Sequence, residues 1–117
     1  MGTNPWRLVL YMTAAGRCPV REYLADLDRK ERLRVADCLE LLEVFGLGLG
    51  APHMRSLGNK LWELRIAGQV QHRVLYFATT GRVLVLLHAF TKKTPKTPPG
   101  EFETAKRRMT DYLRRIG

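Results

Sequence analysis

The sequence predicts a single α+β domain in which helices pack on an antiparallel sheet. Three observations carry that class. The chain has 117 residues, 45% of them hydrophobic, which suits one packed core. Apolar residues recur at helical spacing near both ends and with period two between them. Short turn-forming breaks separate the period-two segments, so those segments pair as a meander. The predicted order is β-α-α-β-β-β-α over one domain, residues 1–117, with no internal repeat and no linker.

Each element has a local reason. Trp6-Arg7-Leu8-Val9-Leu10-Tyr11 is rich in β-branched and aromatic residues and is ended by Ala14-Ala15-Gly16, so it reads as a strand. Cys18-Pro19 opens a helix, because Pro suits the first helical position. Val20, Tyr23, Leu24 and Leu27 follow at helical spacing. Asp28-Arg29-Lys30-Glu31 has the form of a capping box, with Asp28 accepting an orphan backbone N–H and Glu31 reaching back. The helix it starts runs to Gly46, a suitable C′ residue, with Val35, Cys38, Leu39, Leu42 and Phe45 as its core face. Arg29, Lys30, Arg32 and Arg34 alternate with acids and read as a solvated face. Gly46 to Pro52 is a loop with no Gly-Lys-Ser/Thr and no preceding strand, so it is not a phosphate loop.

The period then changes to two. Leu61 to Ile66 places Trp62, Leu64 and Ile66 on one face, and Leu61, Glu63 and Arg65 on the other. After the turn Ala67-Gly68-Gln69 comes the strand His72 to Phe77. After Thr79-Thr80-Gly81 comes Arg82 to Phe90, apolar on both faces and therefore a covered interior strand. Thr91 to Thr97 is a basic loop. Pro98 and Pro99 start a last helix with the stripe Phe102, Ala105, Met109, Tyr112, Leu113 and Ile116. Glu101 and Glu103 near its start, and Arg114 and Arg115 at its end, favour the helix dipole.

Composition excludes several classes. No apolar run approaches the ~20 residues of a membrane span. Residues 1–6 have no charged region followed by an apolar one, so no secretory leader is expected, and the reading is cytoplasmic. Cys18 and Cys38 match no disulfide or zinc spacing and read as reduced thiols, with Cys38 in the core. His53, His72 and His88 are scattered, so neither a metal nor another cofactor is expected.

The charge is uneven. Residues 1–54 hold seven Lys/Arg and seven Asp/Glu; residues 55–117 hold thirteen and four, and so carry the whole net charge of +9. A one-sided excess points to a polyanion. The meander can bring Arg65 near Arg73, with His88 near the end of the next strand and Lys92, Lys93 and Lys96 on the loop leaving it. Such a set suits a phosphodiester, because guanidinium groups bind phosphate bidentately and a lysine among like charges has reason to lose its proton. RNA carries its own nucleophile, the 2′-hydroxyl, so chemistry there needs only orientation, proton removal and charge stabilisation. Ordinary sheet pairing of Arg65 and Arg73 with Glu63 accounts for the same arginines without a ligand.

At Leu61-Trp62-Glu63-Leu64-Arg65-Ile66, Arg73 to Phe77 and Leu86-Leu87-His88-Ala89-Phe90-Thr91-Lys92-Lys93-Thr94 the chain resembles the HigB-like, phage-derived branch of the RelE/ParE toxin superfamily. The likeness extends to Cys18-Pro19-Val20-Arg21-Glu22-Tyr23-Leu24 and to Thr97 through Ala105. The resemblance implies a type II toxin that cleaves mRNA on the ribosome by metal-independent 2′-hydroxyl attack. It implies a scissile-phosphate contact for Arg65 and transition-state stabilisation for Lys92 and Lys93. It assigns His88 as an acid or positioning group. Arg73, Arg55, Lys60 and Lys96 become RNA or phosphate contacts. The implied partner is a helix-turn-helix antitoxin that covers the basic face and alone contacts DNA. The tyrosine that several such toxins carry near the start of the last helix is replaced here by Thr97-Pro98-Pro99, with Phe102 beyond. Two further readings use the same fold: a ParE-like gyrase inhibitor that cuts nothing, and a non-catalytic RNA-binding module.

Overall fold

The computed structural model describes residues 5–116. The expected absence of a leader at residues 1–4 lies outside them. The elements are β1 (Arg7–Leu10), α1 (Pro19–Asp26), α2 (Arg29–Phe45), a 3-10 turn (Gly46–Gly48), β2 (Met54–Gly58), β3 (Leu61–Ile66), β4 (His72–Thr79), β5 (Val83–Thr91) and α3 (Pro99–Ile116). The α+β class and the predicted helices are all present.

The sheet is larger than the sequence predicts. Its order is β1-β5-β4-β3-β2. The meander β3-β4-β5 is antiparallel, with Arg65 opposite Arg73 and His72 opposite Thr91. β1 joins parallel to β5, so the sheet is mixed. β2 is an added edge strand on β3, broken by a bulge between Ser56 and Gly58. Met54-Arg55-Ser56-Leu57-Gly58 has little β-propensity of its own. It becomes a strand because Asn59 and Lys60, both at positive φ, fold it back on β3.

Helices cover both faces. On one, Val20 of α1 and Val35 and Leu42 of α2 pack on Leu64, Ile66, Val74, Tyr76 and Leu86. On the other, Ala105 and Met109 of α3 pack on Leu61, Leu75, Phe77, Val85 and Leu87. Period two in β3 thus sorts its residues as predicted, with Trp62 half-buried in the first layer. Cys18 is the buried thiol; Cys38 is only half-buried on the rim of that layer. The reason is angular: Cys38 lies beside the α2 stripe centred on Val35 and Leu42.

Two helix ends follow the sequence, one only in part. Gly46 caps α2 at φ +53, and the Trp6 ring lies where a Cβ would stand. Asp28 caps the start of α2 by accepting from the Glu31 N–H at 2.9 Å. The Glu31 side chain does not close the capping box. It turns inward to His72 and Arg34, where burial offers it stronger, charge-assisted partners. In α3 the predicted stripe is buried through Met109, while Leu113 and Ile116 run past the sheet and stay exposed.

Candidate phosphate site

The β3–β4 pairing sets two arginines directly opposite each other on the α3 side of the sheet. Like charges in that position repel. Glu63, two residues before Arg65 and so on the same face, supplies the counter-charge. Glu63 is 1% exposed as a residue. Oε1 stands 3.6 Å from Arg65 Nε, 3.8 Å from Arg73 Nε and 3.8 Å from Arg55 Nε. Oε2 accepts a hydrogen bond from the Thr97 hydroxyl at 2.5 Å. Sheet pairing with Glu63 is therefore real. It is also insufficient, because three guanidinium groups face one carboxylate.

The excess is directed. Arg73 is 4% exposed, and it donates through Nη1 to the His72 carbonyl at 3.0 Å and through Nη2 to Gln71 Oε1 at 3.3 Å. Among the described residues, the Nε–H groups of Arg65 and Arg73 are buried side-chain donors without a hydrogen-bond acceptor. Buried donors of this kind are costly unless something accepts from them.

Lys92 leaves β5 beside this group, its backbone N–H bonded to the Gln71 carbonyl at 2.8 Å. Burial, with the nearby Arg73 and Arg65 guanidinium groups next, pushes its ammonium below the ordinary lysine range; Glu63 opposes the shift. Burial, with Arg65 and Arg55 adding to it, also lowers Arg73, which stays cationic. Lys92 and Lys93 line an open cleft of about 450 Å³ with Gln69, Gln71 and Thr91. Arg55, Lys96 and Thr97 line a second, of about 470 Å³, with Phe102 and Glu103. Arg73 and Gln71 join the cluster to the first cleft, and Arg55 and Thr97 join it to the second.

His88 is placed by a bulge. Leu75 pairs with His88 but Tyr76 with Leu86, which leaves Leu87 as the extra residue. Leu87 and His88 consequently both face α3. The imidazole Nε2–H donates to Glu101, and Nδ1 accepts from Arg108 at 3.1 Å. Arg108 also satisfies the Leu87 carbonyl at 2.9 Å. Burial first, and the Arg108 and Arg107 charges, lower the His88 pKa, while Glu101 opposes them. His88 is thus a neutral ring with both nitrogens engaged, holding the first turn of α3 over the sheet. It shares a cross-strand row with Leu75, Glu63 and Arg55.

The fold brings together Arg55, Arg65, Arg73 and Lys92, with Lys93 and Lys96 exposed on the flanking loop. Lys60 stands apart in the β2–β3 turn, about 16 Å along the strand from Arg65. Thr97 is the member that sequence reasoning passed over, while Glu63 was read only as an ordinary sheet partner of the arginines and not as the buried centre of the cluster. The signal for Glu63 was present: a carboxylate that shares an inner strand face with Leu61 must find partners. Among the described residues, no three His, Cys, Asp or Glu side chains form a group that could hold a metal ion, and no helix is long and apolar enough to cross a membrane.

The family model described as phage-derived protein Gp49-like (DUF891) matches residues 22–110, from the second turn of α1 to most of α3. No curated protein matches the chain.

Proposed function

The chain belongs to the phage-derived Gp49-like family, which is of RelE-toxin type, and from that premise we propose that it is the toxin of a type II toxin–antitoxin module. Within the superfamily it is assigned to the HigB-like branch, on the motifs around Arg65, His88 and Lys92. Its activity is cleavage of mRNA on the ribosome, and its partner is a small helix-turn-helix antitoxin.

One observation supports the chemistry above the others. Three arginines converge on one buried carboxylate, two of them with an unused buried N–H, and a lysine of lowered pKa stands beside them. A phosphodiester is the ligand that answers all of these features. Its non-bridging oxygens accept from Arg65 and Arg73, and Glu63 keeps the guanidinium groups fanned and oriented. Lys92, as the free amine, takes the proton from the 2′-hydroxyl. The 2′-oxygen bonds to phosphorus, the bond to the 5′-oxygen breaks, and that oxygen leaves with a proton from the Lys93 ammonium. The products are a 2′,3′-cyclic phosphate and a 5′-hydroxyl end. Arg55 and Lys96 hold flanking phosphates, and His88 positions α3 without transferring a proton.

The test is a translating ribosome programmed with a defined mRNA, read by primer extension. Cuts that appear with the wild-type chain and vanish with folded Arg65→Ala support the reading. Intact transcripts together with arrested DNA replication in expressing cells point instead to a gyrase inhibitor, and binding without cutting to an RNA-binding module.

A further inference from the structure

Behind the arginines, on the other face of the sheet, lies a buried polar chain that the proposed chemistry does not use. His72 is fully buried. Its Nε2–H donates to Glu31 Oε1 at 2.8 Å, and its Nδ1 accepts from the Tyr23 hydroxyl at 2.6 Å. The Thr91 hydroxyl donates to the same Tyr23 oxygen at 2.9 Å. The Tyr23 and His72 rings meet edge-on, with centroids 5.8 Å apart. Arg34 holds Glu31 in place and reaches the Val70 carbonyl at 3.3 Å. Its guanidinium occupies the space above Gly68 where any Cβ would stand.

The location gives the chain its meaning. His72 and Thr91 are register partners at the last rung of the β4–β5 ladder. The next residues along each strand are Arg73 and Lys92. Successive residues point to opposite faces, so pinning His72 and Thr91 on the helical side fixes where Arg73 and Lys92 emerge on the other. A ladder end before a loop is where strands fray. Apolar side chains of similar volume would fill the same space at similar or better stability. A polar chain with one consistent set of donors and acceptors adds a single register instead.

We propose that the chain Glu31–His72–Tyr23–Thr91 is the positioning device of the phosphate site, with the Tyr23 hydroxyl as its joint. The inference rests on the reading of the arginine face as a phosphodiester site and names the residues that align it from behind. Tyr23 and Thr91 are positioning residues, acting through His72 and Lys92 and not on the reacting atoms.

The experiment is an NMR titration of the full chain with its lysines reductively 13C-methylated, the Lys92 signal being assigned by its loss in Lys92→Arg. In the wild type Lys92 deprotonates at lower pH than an ordinary lysine. In Tyr23→Phe and in Thr91→Val its titration moves up toward the ordinary lysine range, and Thr91→Ser, which keeps the hydroxyl, retains the wild-type curve. In the cleavage assay the first two variants lose about tenfold or more in kcat with little change in KM, as expected for misplacement rather than lost binding. An unmoved Lys92 curve in folded Tyr23→Phe and Thr91→Val overturns the proposal. The titration needs no cleavage, so failure of the nuclease reading and failure of the positioning reading are separate results. If Tyr23→Phe does not fold, the Thr91 pair gives the answer alone.

Discussion

Replacing Glu63 by Gln removes the one negative charge among three arginines and little else. The amide is close in volume and still offers an oxygen to Thr97. The Glu63–Arg73 pair dominates the cost, because both side chains are almost fully buried, 2% and 5% exposed. Opposite charges 3.8 Å apart attract by about 4 kcal/mol at an effective dielectric of 20. Arg65 and Arg55, at 31% and 46% exposure, are screened by water and add little. Removing one partner of a buried pair leaves the other uncompensated, so a loss of about 3 kcal/mol is expected. For a domain of this size that lowers the melting temperature by roughly 12 °C or more. The same logic makes the variant responsive to anions. Inorganic phosphate at ten times its dissociation constant restores about 1.4 kcal/mol, about 6 °C. The assay is thermal unfolding followed by circular dichroism at neutral pH in chloride buffer, with and without phosphate. A variant that melts within 2 °C of the wild type (about 0.5 kcal/mol), and responds to phosphate no more than it does, refutes the view of Glu63 as the buried counter-ion of an anion site.

Other outcomes follow from the same geometry. Arg65→Ala, a half-exposed position, leaves the fold intact and lowers cleavage by about 100-fold or more, measured as kcat/KM on programmed ribosomes. Cleavage rises with pH as Lys92 loses its proton, and it levels at lower pH than an ordinary lysine allows; in Lys92→Arg a pH–rate profile shows no such rise. His88 has a folded pKa below its ordinary value of 6.5, so the stability it contributes is complete above that pH. It is lost as pH falls through the folded value, because the unfolded chain binds the proton more readily. Melting curves between pH 7 and 5 should decline less steeply in His88→Gln. Gly68→Ala destabilises by about 1–3 kcal/mol, because the methyl group meets the Arg34 guanidinium. The double variant with Arg34→Ala should cost less than the two single costs combined, which chemical denaturation can measure.

The sequence by itself determined the layers. Period two in Leu61–Ile66 put Leu64 and Ile66 on the face that α1 and α2 cover, and Leu61, Glu63 and Arg65 on the opposite face, because alternation is local chain geometry. Pro19, Asp28 and Gly46 marked helix ends because orphan backbone groups are satisfied within a few residues. The two helices of the neutral first half became the layer on one face of the sheet, and Arg65, Arg73 and Lys92 of the basic half came together. What the tertiary structure decided depends on pairing between distant segments. β2 exists only because β3 lends it hydrogen bonds. The side His88 faces depends on a bulge that alternation along β5 does not reveal. Glu31 abandoned its cap for His72, 41 residues away, because a buried imidazole is a better partner than a solvated N–H. The closeness of Lys92 to Arg65 needed register, since Lys92 reaches the arginines through the last rung of β4 and β5 and not through any spacing in the chain. Local periodicity thus chose which face each charge would occupy, and long-range register chose which charges would meet there.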